Sequence, residues 1–151
     1  MSVRFNVNQS ELKNVYQLLD DISDIINKKT VVERALKTSF EPLLEKARQD
    51  APDGPTGNLK DGIKSRSANI RNKATTAGAI QFGVFAPHAY FISDGTRPRT
   101  RKSDGRYTGF VEPNPFWDAA YESEKDGAIK TLGDNILNEI EKSIKNKEGL
   151  S

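Results

Sequence analysis

Few residues in this chain have the chemistry to catalyse anything. Histidine occurs once, at His88, and cysteine is absent. Without thiols there are no disulfides, no thiolate nucleophile and no cysteine-ligated metal, and a single imidazole excludes a histidine-rich zinc site. His88 stands between Pro87 and Ala89 beside an apolar turn, with no visible partner for general-base work, so packing or capping is expected of it. No serine lies in a Gly-x-Ser-x-Gly elbow, and the 21 carboxylates form no spaced metal-binding motif. Asp20, Asp21 and Asp24 lie off an apolar helical stripe and read as a solvated face. The turn cluster from Ala51 to Leu59 lacks both the Gly-Lys-Ser/Thr ending of a phosphate loop and a strand before it. The expectation is a protein that is not an enzyme and takes no metal or cofactor.

The concentrated chemical feature is cationic. Arg97, Arg99, Arg101, Lys102 and Arg106 crowd together, interrupted by Pro98 and Asp104-Gly105. With Tyr90, Phe91, Tyr107 and Phe110 nearby, this stretch has the make-up to contact phosphates and stack on bases. No zinc-finger, homeodomain-like or basic-zipper pattern accompanies it, so sequence-specific reading is not expected. The net charge of +2 hides a segregation. Residues 1–50 carry 8 basic and 8 acidic side chains, residues 51–111 carry 10 and 4, and residues 112–151 carry 5 and 9. Opposite segments of this kind can attract within one fold, between copies or toward a third party; chance accounts for the segregation equally well.

The elements that must position these groups can be read from periodicity. Val3, Phe5 and Val7 alternate with polar residues, as in a half-buried strand. Leu12, Val15, Tyr16, Leu19, Ile22 and Ile26 then make the stripe of a first helix, and 27–30 breaks it. Val32, Leu36, Phe40, Leu43, Leu44 and Ala47 make a second helix, continuous but kinked by Pro42. After the turn cluster, two strands joined around 72–76 are expected to form a hairpin, with Ile80, Phe82 and Val84 on one face. Ala86–Ile92 reads as a helical turn stopped by Gly95. Residues 97–109 read as an exposed loop or arm too charged to fold on itself, with Gly109–Val111 as its closing strand. Phe116 to Lys145 reads as a long helix lying across the sheet, and 146–151 as a fraying tail. Only 35% of the residues are hydrophobic, against about 45–50% with Gly counted in an ordinary domain, so much of the surface is expected to serve other subunits. The expected fold class is α+β, one domain over 1–151. A small, mostly antiparallel sheet is packed by two N-terminal helices and a long C-terminal helix, with a projecting basic loop. No apolar run is long enough for a membrane span, so no membrane is expected as a partner.

In their order these pieces resemble the tail-component family of long-tailed bacteriophages, the tail-completion or neck proteins encoded among head–tail joining genes. The family pattern is matched by Ala51-Pro52, by Thr56-Gly57-Asn58-Leu59-Lys60, by Ala89-Tyr90, by Gly95-Thr96 and by Pro115-Phe116 followed by Ala119-Ala120, from about Val3 to Lys145. The chain departs from the pattern in the place of Asp94 directly before Gly95, in the Arg-rich loop and in Pro42. Pro52, Thr56, Gly57, Leu59, Tyr90, Gly95, Thr96, Pro115 and Phe116 are read as fold-making residues. Gly57 supplies a positive φ, Leu59 plugs the core, Gly95 stops a turn and Phe116 anchors the last helix. The resemblance implies a structural virion protein of the neck, made in the host cytoplasm. It would form a ring, expected as a hexamer, around the DNA channel, with adjacent connector and tail proteins as partners. It would meet passing genomic DNA without sequence specificity. Arg97, Arg99, Arg101, Lys102 and Arg106 would face a partner or the DNA. A tail-terminator ring, or a non-specific nucleic-acid-binding protein, is the alternative.

Overall fold

The computed structural model describes residues 2–8, 13, 17, 27–54, 56–69, 71 and 76–147. The elements are β1 (Ser2–Asn8), α1 (Lys28–Asp50), α2 (Asn58–Asp61), β2 (Ile63–Ser67), β3 (Thr76–Val84), α3 (Ala89–Asp94), β4 (Arg99–Thr100), β5 (Tyr107–Gly109) and α4 (Phe116–Lys147). The predicted first helix lies outside the described residues apart from Lys13 and Gln17, both helical.

β3 is the centre of a three-stranded sheet of order β1-β3-β2, antiparallel throughout. Phe5 pairs with Ile80 across β1 and β3, and Ile63 pairs with Val84 across β2 and β3. Ile80, Phe82 and Val84 of β3 are all buried as expected, and Ala79 and Gly83, which alternate with them, are buried as well.

Helix α1 starts where the sequence pattern broke. Asn27 is its N-cap, and the side-chain Oδ1 accepts from the Thr30 N–H at 3.1 Å, satisfying one of the otherwise unpaired donors of the first turn. The helix runs unbroken through Pro42, which is exposed, so the missing N–H falls on the solvent side. Buried residues come in adjacent pairs along α1: Val31 and Val32, Ala35 and Leu36, Ser39 and Phe40, Leu43 and Leu44. A stripe this wide contacts two neighbours at once. On one side Phe40 stacks on Phe5 at 4.0 Å and on Phe82 at 5.1 Å between ring centroids. Such aromatic pairs contribute about 0.5–1.5 kcal/mol beyond their buried area. On the other side Ser39 Oγ accepts from Asn135 Nδ2 of α4 at 2.8 Å.

The long last helix therefore lies chiefly along α1 rather than across the sheet, contrary to the sequence expectation. The reason is that α1 already covers the inner face of three short strands. The N-terminal part of α4 approaches the sheet, where the Tyr121 ring lies 6.1 Å from that of Phe5. α4 spans 32 residues, about 48 Å at 1.5 Å per residue, and Phe116, Trp117, Ala120, Ala128, Ile136 and Ile140 bury its inner side. It extends through Lys147, into the stretch expected to fray. Among the described residues no helix is long and apolar enough to cross a membrane.

Candidate functional site: a basic hairpin on a clamped stem

The arm begins with a helical stop. α3 ends at Gly95, whose φ of 74° belongs to the region that glycine enters without strain. A Cβ there would lie 2.8 Å from the Val111 carbonyl oxygen and 2.9 Å from the Pro113 ring, so the position demands glycine on two counts. Thr96 then clamps the returning strand. Its N–H donates to the Val111 carbonyl at 2.9 Å, and its hydroxyl accepts from the Val111 N–H at 2.9 Å. One step on, the Asn114 N–H donates to the Ile92 carbonyl at 2.9 Å. Both ends of the arm are thus held to α3 by main-chain bonds.

Beyond the clamp the chain does fold on itself, correcting the expectation of a structureless loop. β4 and β5 pair antiparallel, with Arg99 opposite Gly109 and Thr100 opposite Tyr107. The closing strand is Tyr107–Gly109, while Val111 belongs to the clamp. At the tip the Arg101 N–H donates to the Arg106 carbonyl at 2.8 Å and the Gly105 N–H to the Arg101 carbonyl at 2.8 Å. Asp104 accepts from the Arg106 N–H and pairs with the Arg101 guanidinium at 3.3 Å. Main-chain bonds and one tip carboxylate are enough to order a strand pair that buries almost nothing.

The five predicted cations all sit on this arm, and all are exposed. Only Arg101 has an acidic partner; among the described residues Arg97, Arg99, Lys102 and Arg106 form no ion pair. Tyr107 and Phe110 beside them are 56% and 52% exposed. The result is a cationic, aromatic surface on which Arg101 alone of the five cations forms an ion pair among the described residues.

Two of the motif residues, Pro52 and Leu59, lie at the foot of the arm. Pro52 and Leu59 from the turn cluster, Ile92 from α3, and Val111, Glu112 and Pro113 from the returning strand line an open cleft of about 490 Å³. Gly57 has φ 67° and begins α2, Leu59 is buried, and Thr56 is exposed in the turn. Pro115 is exposed and its carbonyl accepts the first α4 bond, from the Ala119 N–H at 3.1 Å; Phe116 next to it is buried. Tyr90, counted with the fold-making residues, is 53% exposed on α3, with its ring 4.0 Å from that of Phe91. His88 occupies the N-cap position of α3 but makes no capping bond through its side chain; its ring stacks on Phe91 at 6.3 Å. The sequence reading missed Val111 and Pro113, the counterparts of Gly95 and Thr96, because a clamp across the length of the arm leaves no local pattern.

Among the described residues no three histidines or carboxylates converge so as to hold a metal ion. A shifted ionisation appears on α4, where Glu122 accepts a hydrogen bond from Lys125 and raises that ammonium above its ordinary value. This is an exposed ion pair, far in sequence from the arm.

The arm is exposed, and its stem, not its tip, is tied to the fold. Residues 13–112 match the family described as bacteriophage HK97-gp10, putative tail-component, and the chain belongs to that family. It is thereby placed among bacteriophage tail components, as structural proteins. The match takes in α1, the sheet from β2 onward and the entire arm, and ends ahead of Pro115-Phe116, which the resemblance had included. No curated protein and no solved structure matches the chain.

Proposed function

We propose that the chain is a structural subunit of the phage neck, completing the tail or joining it to the DNA-filled head. Copies form a ring, expected as a hexamer, around the DNA channel. The single domain of residues 1–151 is the repeated unit. It is made in the host cytoplasm and ends in the virion, at the head–tail interface. Its partners are other copies, the adjacent connector and tail proteins, and passing DNA, which it meets without sequence specificity.

The observation that carries this reading is the arm. Arg97, Arg99, Arg101, Lys102 and Arg106 project from a stem held by Thr96 and Asn114, and among the described residues four of the five form no ion pair. Folding has no need of such a group. Contact with a neighbour or a phosphate backbone does.

Replacing all five with Ser should leave the chain folded and leave heads and tails unjoined in infected cells. Normal virion yield from that variant overturns the reading. Electron microscopy of particles carrying the labelled chain gives its position. Label on the tail tube, below the neck, makes the protein a tail terminator instead. Salt-dependent DNA binding by the isolated chain, with no label in the virion, makes it a nucleic-acid-binding protein.

A further inference from the structure

Helix α4 carries a surface that its own fold does not use. Ile129 and Leu137 are 56% and 41% exposed, off the stripe that packs on α1. Gly133 lies midway between them at four-residue spacing, so the three form one slanting row. Nothing lies within 4 Å of where a Cβ on Gly133 would sit. A glycine inside a helix costs about 1 kcal/mol relative to alanine, and no packing among the described residues accounts for it here. The row is a notch with an aliphatic residue on either side.

Its rim is acidic. Asp126 precedes the row, Asp134 adjoins Gly133 and Glu141 follows Leu137, all exposed. Asp134 and Glu141 form no ion pair among the described residues, and Asp126 shares the field of Lys125 with Glu122. Two cations lie close to this row: Lys130, and Lys125, which is paired with Glu122 at 2.8 Å. The arm is the reverse: exposed Tyr107 and Phe110 among unpaired Arg99, Lys102 and Arg106. An apolar centre with a charged rim is the anatomy of a protein interface, and aromatic and Arg side chains dominate the energetics of such contacts.

We infer that the arm of one copy seats on α4 of the next, with an arm aromatic ring over Gly133 between Ile129 and Leu137 and the arm cations against the acidic rim. The two patches are different surfaces of the same chain, so the contact is head-to-tail. It repeats from copy to copy and closes into a ring when the rotation permits. The inference rests on the assembly reading above and names the contact that builds the assembly. It assigns the arm to protein rather than to DNA.

The absence of native cysteine makes the test direct. Ser103→Cys at the arm tip and Lys130→Cys on α4 are both at exposed positions. Particles built with the double variant and treated with a short bismaleimide should give a ladder of covalent oligomers beyond the dimer. Each single variant should give none of it. Adding Leu137→Asp should cut the ladder at least tenfold while lowering the melting temperature of the isolated chain only slightly, because Leu137 is 41% exposed. Incorporated protein without a ladder, or Ser103→Cys joined only to another protein, overturns this contact and leaves the neck reading standing. A ladder from particles whose label lies away from the neck overturns the neck reading and leaves the contact standing.

Discussion

Phe40 has no exposed surface and touches rings from two strands of the sheet; Arg99 lies in a strand too, and is exposed. The interior around α1 is held by packing: adjacent pairs of apolar residues face the sheet on one side and α4 on the other. The arm is held by main-chain hydrogen bonds, a Thr clamp and a carboxylate at its tip. Substitution should therefore act differently in the two places. In the interior it should lower the stability of the whole molecule. On the arm it should leave stability alone and remove function. The stem, where Gly95 and Thr96 meet Val111, is the one place where both should suffer.

Phe40→Ala should have the largest effect on folding. Emptying a fully buried phenylalanine site costs about 3–5 kcal/mol, visible as a lowered midpoint in denaturant unfolding. Assembly should then fall only with the folded fraction; an assembly defect at full stability would break the comparison. Gly95→Ala comes next, since a Cβ meets the Val111 carbonyl and Pro113 in a backbone region costly for alanine. A loss of about 1–3 kcal/mol is expected, with faster tryptic cleavage at the arm arginines. An arm that stays protected would show that the stem is held by something other than this close approach.

Thr96→Val keeps the shape and removes the hydroxyl that accepts from Val111. It should cost about 0.5–1.5 kcal/mol and speed hydrogen exchange at the Val111 amide, while Thr96→Ser restores protection. The five-cation Ser variant should change stability by less than about 0.5 kcal/mol, as surface substitutions do, in contrast to its effect on joining. A large drop in its thermal melting would mean that the cations serve the fold. Glu122→Gln is the smallest. The raised Lys125 value means that this pair stabilises the fold at pH below the ordinary lysine range and that its contribution fades as pH rises past 10.5. Melting curves near neutral pH should show a barely measurable shift, as expected of an exposed pair, and the variant and parent should converge in strong alkali.

Local signals were legible. The alternation of Ile80, Phe82 and Val84, the helical spacing from Val32 to Ala47, the stop at Gly95 and the start at Phe116 are properties of a few consecutive residues, and the structure keeps them. Asn27 was read as a break when it is a cap, because the same residue type serves both until the helix that follows is seen. The pairing of Ser39 with Asn135 was invisible, as was the clamp from Thr96 to Val111. Each joins residues that no periodicity relates. Ile129 and Leu137 fitted the helical spacing of α4 and turned out to be exposed, because a long helix offers more apolar rows than one neighbour can cover.

The sequence by itself determined the chemistry that is excluded, the character of each element, the charge of the arm and, through its ordered motifs, the family. These depend on residue identity and on short-range spacing. Only the tertiary structure decided that β3 lies between β1 and β2, that α1 lies between the sheet and most of α4, and that the arm is a clamped hairpin in which Arg101 alone of the five cations forms an ion pair among the described residues. Such features depend on which surfaces compete successfully for one another, and that competition is settled between residues far apart in the chain.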